Sequence, residues 1–137
     1  MKKYLTIMGM FLTLLISCTH IQIKDPSVQI ENRASAFWKA KQDKAWDKAY
    51  GFYCKAFRSE VSKNDYIRSA NLDIRSFGIK RVTLSEDKKQ ARVWVQFDAV
   101  IQGHLFAGIK LEEEWSYEDN DWCLSPKKKT FKDLFKK

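Results

Sequence analysis

The second half of the chain alternates apolar and polar residues with a period of two, and this pattern constrains the fold more than any other feature. In residues 90–101 the odd positions are apolar, from Ala91 to Ile101, and the even positions are mostly polar. Residues 105–117 repeat the alternation, with Gly103 in the turn between the two segments. Because successive side chains of a strand point to opposite faces, the pattern predicts a long antiparallel hairpin with one buried face.

The same alternation predicts how the two strands pair. Placing residue 101 opposite residue 105 puts the apolar positions of both strands, including Leu105 and Ala107, on one face. Arg92 then lies opposite Glu114 on the outer face, where the two charges attract. A shift by one residue would bury charged side chains. Residues 72–84 are predicted to form one strand or two short ones, with a bend at Gly78. The remaining predicted elements are a turn at 85–88, a turn at 118–121 and a last short strand at 122–124.

Before residue 72, apolar residues recur every three to four positions, which is the spacing of amphipathic helices. The pattern predicts one helix at about residues 33–43, a break near 43–45 and a second helix that continues to about residue 58. Ser62-Lys63-Asn64-Asp65 then resembles a capping box and predicts a short helix that ends near Ala70. Helices followed by an antiparallel sheet indicate an α+β fold.

Three sequence motifs resemble those of the nuclear transport factor 2-like superfamily. Phe37-Trp38-Lys39-Ala40 and Ala45-Trp46-Asp47-Lys48-Ala49-Tyr50 resemble its two-helix opening, and Asp121-Trp122-Cys123-Leu124 resembles its closing strand. The common Gly-Asp before the second helix is Lys44-Ala45 here. The resemblance covers residues 32–125 and implies N-terminal helices packed on a curved antiparallel sheet, a cone that encloses a pocket. Some members are enzymes and many are binding or assembly modules, so the fold does not decide the function.

The N-terminus has the organisation of a secretory signal peptide. Lys2 and Lys3 precede an uncharged apolar run, residues 4–17, which is shorter than the roughly 20 residues that a membrane-spanning helix needs. Leu15-Ile16-Ser17-Cys18 resembles a bacterial lipobox. This resemblance implies that residues 1–17 are removed and that Cys18 carries the lipid anchor. Thr19, in the place where Asp tends to retain lipoproteins at the inner membrane, favours the outer membrane, with the domain facing the periplasm.

The mature chain divides by composition into three parts. Residues 18–31 are predicted to form a lipidated tether, residues 32–125 a single domain, and residues 126–137 a basic tail. The formal charge of +8 falls by two when Lys2 and Lys3 are removed. Export excludes nucleic acid as a partner and leaves anionic lipid, peptidoglycan carboxylates, an acidic envelope protein or a second copy of the chain. Thr130 to Asp133 resembles a capping box, so the tail is predicted either to dock on the domain or to lie on an anionic membrane.

Cys54 and Cys123 remain as an even pair in an oxidising compartment. A disulfide and two buried free thiols are both compatible with the sequence. The cysteines have no CxxC spacing, and the only histidines are His20 and His104. The sequence therefore predicts neither a metal site nor a cofactor.

Glu113 is the one charged residue among the apolar positions of its strand, so we expect it at the open rim of a pocket, paired with a lysine, or buried with a raised pKa. Tyr50, Tyr53 and Trp115 are the predicted companions in that pocket, whereas Trp94 is an aromatic residue on the polar face and a candidate interface. No acid partner for Glu113 is identifiable. The sequence favours a non-enzymatic, lipid-anchored binding or assembly module over the alternative, an isomerase- or dehydratase-type enzyme that uses Glu113.

Overall fold

The computed structural model describes residues 25–126. The predicted signal peptide, Cys18 and the tail from Lys127 onward lie outside these residues. Within residues 25–126, no helix is long and apolar enough to cross a membrane.

The first helix, α1, spans Pro26–Gln42, so it begins well before the predicted start near residue 33. The Asp25 carboxylate accepts a hydrogen bond from the Ser27 amide at 2.9 Å and caps the helix, and Pro26 occupies its first turn. Both residues suit a helix N-terminus, because the capping carboxylate satisfies a free amide and proline needs no amide partner there. The predicted tether is therefore wrong for residues 26–31, and Ile30 in this segment is fully buried.

Three short helices follow: α2 at Trp46–Tyr50, α3 at Lys55–Glu60 and α4 at Lys63–Ser69. The break predicted near residues 43–45 is confirmed, with Lys44 at a φ of 57°. The predicted capping box is confirmed too, since the Ser62 hydroxyl accepts from the Asp65 amide.

The predicted second helix is interrupted between α2 and α3, because the chain there runs beside the last strand. The Cys54 amide donates to the Leu124 carbonyl at 2.9 Å, and the Leu124 amide donates to the Phe52 carbonyl at 2.8 Å. These backbone groups cannot also serve a continuous helix. A contact distant in sequence thus overrides the local helical period.

The helices pack on one antiparallel, open sheet of four strands in the order β1-β2-β3-β4, so the α+β class is confirmed. The strands are β1 at Asp73–Leu84, β2 at Gln90–Ile101, β3 at His104–Glu118 and β4 at Asp121–Leu124. The covered face of the sheet, called the inner face below, carries Val93, Val95 and Trp115, which pack with Phe37 and Trp38 of α1 in the buried core.

The predicted register is confirmed where Arg92 pairs with Glu114, but it is wrong at the hairpin end. Ile101 pairs with His104 rather than with residue 105. Gln102 and Gly103 form the turn with φ values of 51° and 81°, and two positive values are what a two-residue turn of type I′ requires.

A β-bulge accommodates the change of register. It lies between the pairs Phe97–Ile109 and Ala99–Phe106, where β3 has one residue more than β2 and Gly108 adopts a φ of 69°. Beyond the bulge the faces exchange, so Phe106 pairs with inner Ala99 and Leu105 pairs with outer Val100. The prediction that Leu105 joins the inner apolar face is therefore wrong, and its side chain is 64% exposed.

Candidate functional site

Glu113 lies inside the core rather than at a rim, and 6% of it is exposed. Its position on β3 opposite Val93 directs the side chain to the inner face. Trp38 Nε1 donates to Oε1 at 3.0 Å, and Trp115 Nε1 donates to Oε2 at 3.1 Å. Each carboxylate oxygen therefore has one indole donor, which partly replaces the hydrogen bonds that water would supply.

Burial raises the pKa of Glu113 to about 7, while the positive charge of Lys41 and the two indole hydrogen bonds act in the opposite direction. Lys41 lies on α1 with its Nζ 4.0 Å from the centre of the Trp38 ring. Burial lowers the pKa of this ammonium group, and the charge of Glu113 counteracts that effect. The carboxyl and the ammonium thus share one apolar environment in which Trp38 contacts both.

The two tyrosines expected beside Glu113 use their hydroxyls elsewhere. The Tyr50 hydroxyl donates to the Val61 carbonyl at 2.8 Å and thereby ties α2 to the segment before α4. The Tyr53 ring stacks on Phe57 with ring centres 4.2 Å apart. Burial, the adjacent Tyr66 and the charge of Glu113 raise the pKa of the Tyr53 hydroxyl, which keeps it protonated.

The four residues named for a pocket do not line a common depression among the three best-formed ones. The best-formed depressions in the described part of the chain measure about 510, 350 and 140 Å³, and Glu113 and Tyr50 line none of them. Trp115 lines the second and Tyr53 the third, so the two are separated. Phe37 fills the space between them, with its ring centre 5.9 Å from that of Trp115 and 5.7 Å from that of Tyr53.

The largest of the three depressions lies at Trp94 on the outer face, and we call it the Trp94 groove. Arg81 pairs with Trp94 across β1 and β2, and its guanidinium carbon lies 3.8 Å from the centre of the indole ring. Lysine, glutamine and glutamate side chains complete the polar lining, from Lys80, Gln96, Lys110 and Glu112. The groove therefore combines an aromatic surface with three cationic groups and one carboxylate. Sequence analysis found Trp94 but missed Arg81, whose contact depends on the β1–β2 register.

Cys54 and Cys123 form a disulfide, with the sulfurs 2.07 Å apart. It joins the segment before α3 to β4, the same two segments that the hydrogen bonds of Leu124 connect. Glu118 also places an oxygen within 4.8 Å of both sulfurs. Because the sulfurs are bonded to each other, this group offers no thiolate ligands to a metal while the disulfide is intact.

Asp98 on the outer face has a structural role at the bulge. Its carboxylate accepts from the Gly108 amide at 2.7 Å and from the Ser76 hydroxyl at 2.8 Å. These two hydrogen bonds lower the pKa of Asp98. The side chain thus satisfies a backbone donor at the bulge. The register predicted from the sequence did not include this bulge.

No protein-family model matches the chain, and no curated protein sequence matches it. Among solved structures, the chain is similar to the intermembrane space region of the chloroplast protein ARC6, with a TM-score of 0.40 and 14% sequence identity. That alignment covers 75% of this chain and 95% of the ARC6 chain. The comparisons therefore assign neither a family nor a function.

Proposed function

We propose that this protein is a lipid-anchored, non-enzymatic binding module of the bacterial cell envelope, and that it binds its partner through the Trp94 groove. The observation that carries the proposal is the groove itself, about 510 Å³ in volume, in which Arg81 lies over Trp94. Tryptophan and arginine are the residues that most often dominate binding energy at protein interfaces. The motif resemblance described above supports a nuclear transport factor 2-like domain, a superfamily in which many members bind or assemble with other proteins.

The charges around the groove favour an acidic envelope protein as the partner. Lys80, Arg81 and Lys110 line it together with one carboxylate, Glu112. Cationic groups that remain in solvent accelerate association with an acidic surface. The aromatic ring contributes apolar area that is buried when the partner binds. The partner therefore needs an acidic segment next to an apolar side chain that can pack against Trp94.

A crosslinking experiment tests the binding surface. A photoreactive residue in place of Gln96 would capture the partner in intact envelopes, and the crosslinked protein would be identified by mass spectrometry. We expect Trp94→Ala and Arg81→Ala to reduce the yield of one defined adduct at least tenfold. Arg75→Ala is the matched control, because Arg75 lies on the same strand and does not line the groove. Adduct yields that are equal in all four proteins would contradict the proposal.

The anchor is tested separately. Motivated by the lipobox-like Leu15-Ile16-Ser17-Cys18, we expect Cys18→Ala to abolish labelling with a radioactive fatty acid and to release the protein from washed membranes. A Cys18→Ala protein that stays with outer-membrane vesicles after high-salt washing would refute the lipid anchor. That result would not bear on the Trp94 groove, which the crosslinking experiment tests separately.

The alternative is a pocket enzyme in which Glu113 is the general base. Its supporting observation is the pKa of about 7, which suits proton transfer at neutral pH. Against it, both carboxylate oxygens are occupied by indole donors, and no depression described above is lined by Glu113. An exchange assay would distinguish the enzyme from the binding module. Small ketosteroid-like or enoyl compounds are incubated with the protein in deuterated water, and replacement of carbon-bound hydrogen by deuterium is measured. The assay compares Glu113→Gln with Glu114→Gln. Exchange that only Glu113→Gln abolishes would favour the enzyme.

A further inference from the structure

A second depression, about 350 Å³ in volume, lies on the outer face at the end of β2 that is far from the hairpin turn. No described helix residue lines it, so it opens on the side opposite the helices. We call it the Arg92 cleft. Arg92 lies opposite Thr83 on β1 and opposite Glu114 on β3, and cross-strand partners share a face. The next outer pair of the β2–β3 ladder, Gln90 with Ser116, also lines the cleft.

The charges of the Arg92 cleft balance, unlike those of the Trp94 groove. Arg92 and Glu114 are the charged residues in its lining, so its formal charge is zero. An anion in the cleft would meet the Glu114 carboxylate, and a cation would meet the Arg92 guanidinium, so the pair disfavours ions of either sign. A neutral group that both donates and accepts hydrogen bonds suits such a pair.

The Arg92 guanidinium is accessible and has unused hydrogen-bond donors. Its side chain is 60% exposed, and its Nε lies 3.7 Å from Glu112 Oε1, an ion-pair distance longer than a hydrogen bond. Arginine presents its N–H donors in a planar fork, and this contact involves only the Nε side of it. The terminal nitrogens therefore remain available to a ligand in the cleft.

Three neutral side chains add hydrogen-bonding groups around the charged pair. Within residues 25–126, the side chains of Thr83, Gln90 and Ser116 form no hydrogen bond to another protein group, so each can bind a ligand. Ser85 also lines the cleft but differs, because its hydroxyl bonds to the Asp87 carboxylate and the Gln90 carbonyl in the turn. An apolar ligand here would separate these groups from water without replacing the lost hydrogen bonds, which is unfavourable.

A sugar ring has the chemistry that satisfies all of these groups. Each hydroxyl donates one hydrogen bond and accepts others, so neighbouring hydroxyls of one ring can accept from the Arg92 fork and donate to the Glu114 carboxylate. The cleft volume corresponds to about twelve water molecules at about 30 Å³ each, which is enough space for one hexose ring with its hydroxyls.

We propose that the Arg92 cleft is a saccharide-binding site that holds one hexose unit of a neutral glycan. Arg92 and Glu114 bind two neighbouring hydroxyls of the ring, and Thr83, Gln90 and Ser116 bind its other polar groups. This inference goes beyond the proposed function and does not depend on it, because no residue lines both the Arg92 cleft and the Trp94 groove.

NMR titration of the exported chain with Cys18→Ser tests the proposal. The probes are chitotetraose, a neutral chain of N-acetylated sugars, and maltotetraose, a chain of unmodified glucose. We expect at least one probe to shift the backbone amide signals of Arg92 and Ser116 in a saturable way, with a dissociation constant below about 1 mM. The amides of Lys80 and Lys110 in the Trp94 groove should not shift. The tighter-binding probe then shows whether the glycan is N-acetylated.

Variants of the cleft connect the binding to its residues. Arg92→Lys keeps the positive charge but removes the planar fork, and we expect it to weaken binding at least tenfold. Arg75→Lys is the matched control, because Arg75 lies on β1 outside the cleft, and it should bind as the wild type does. Thr83→Val deletes one hydroxyl at nearly the same shape and should weaken binding several-fold. The amide spectrum of each variant also shows whether the domain is folded.

Three results would overturn the proposal. The first is the absence of saturable shifts with either saccharide up to about 10 mM. The second is equal saccharide affinity in the folded Arg92→Lys and Arg75→Lys proteins. The third is a response of the same amides to inorganic phosphate at lower concentrations than to either saccharide, because a cleft with balanced charges should not prefer an anion.

Discussion

The two faces of the sheet each place tryptophan beside a charged group, with opposite consequences. On the inner face, Trp38 and Trp115 donate hydrogen bonds to Glu113, which is 6% exposed. On the outer face, Arg81 lies over the Trp94 ring, and its own charge stays in solvent. Burial removes water from the Glu113 carboxyl and raises its pKa, whereas the Arg81 guanidinium remains hydrated. A charge among apolar residues therefore indicates a reactive site only if a ligand can reach it.

The largest effect on stability is expected from the disulfide that joins the segment before α3 to β4. Cys54 and Cys123 are separated by 69 residues, and closing a loop of this size stabilises a folded protein by about 4 kcal/mol in the chain-entropy account. We expect Cys54→Ala with Cys123→Ala to lower the free energy of unfolding by about that amount, measured by urea denaturation. Equal unfolding midpoints for the oxidised wild type and the double variant would contradict this.

The next largest effect is the dependence of folding stability on pH that results from the titration of Glu113. Its pKa in the folded protein is raised from 4.5 to about 7, so the protonated carboxyl is favoured by folding. Its contribution to stability is complete below about pH 4.5 and is lost as the pH rises towards 7. At about 1.4 kcal/mol per pKa unit the loss is roughly 3 kcal/mol.

Glu113→Gln removes this titration while keeping an oxygen for one indole donor. We expect the wild type to lose roughly 3 kcal/mol relative to Glu113→Gln between pH 4.5 and pH 8, as measured by denaturation at each pH. Glu114→Gln, on the outer face, is the matched control and should follow the wild type. Parallel pH profiles for wild type and Glu113→Gln would mean that Glu113 titrates normally.

A smaller effect is expected when one indole donor is removed. Trp115→Phe keeps an aromatic ring in the core but deletes the hydrogen bond to Oε2. Removing a partner from a buried polar group costs about 1–3 kcal/mol. The cost should be greater at pH 8, where Glu113 is charged, than at pH 5. A loss of stability that is the same at both pH values would show that the indole acts through packing alone.

The smallest change in stability is expected on the outer face. Arg81→Ala removes the guanidinium from its contact with the half-buried Trp94 ring, and a cation–π contact near solvent contributes about 0.5–1 kcal/mol. Thermal unfolding should therefore change little, and Arg75→Ala provides the comparison on the same strand. A destabilisation as large as that of Trp115→Phe would show that Arg81 supports the fold, and the contrast between the two faces would fail.

The candidate site was predictable in part. The alternation of β3 identified Glu113 as the exception on the inner face, and the alternation of β2 placed Trp94 on the outer face. It did not identify Trp38 as the second donor to Glu113, because Trp38 lies 75 residues earlier in the chain. Tyr50 and Tyr53 were chosen from their helical spacing, yet their hydroxyls serve other parts of the helical layer, and nothing in the spacing reveals which neighbour a hydroxyl reaches.

Residues close in sequence determined the types of the elements. Alternation specified β2 and β3, and capping specified the start of α4, because both depend on neighbours within a few positions. The pairing of Arg92 with Glu114 followed from keeping charges out of the core. Only the tertiary structure decided the bulge at Gly108, the interruption between α2 and α3, the bond between Cys54 and Cys123, and the partners of Glu113. These features depend on backbone and side-chain groups that meet across long sequence separations, where many arrangements satisfy the same local pattern and packing selects one.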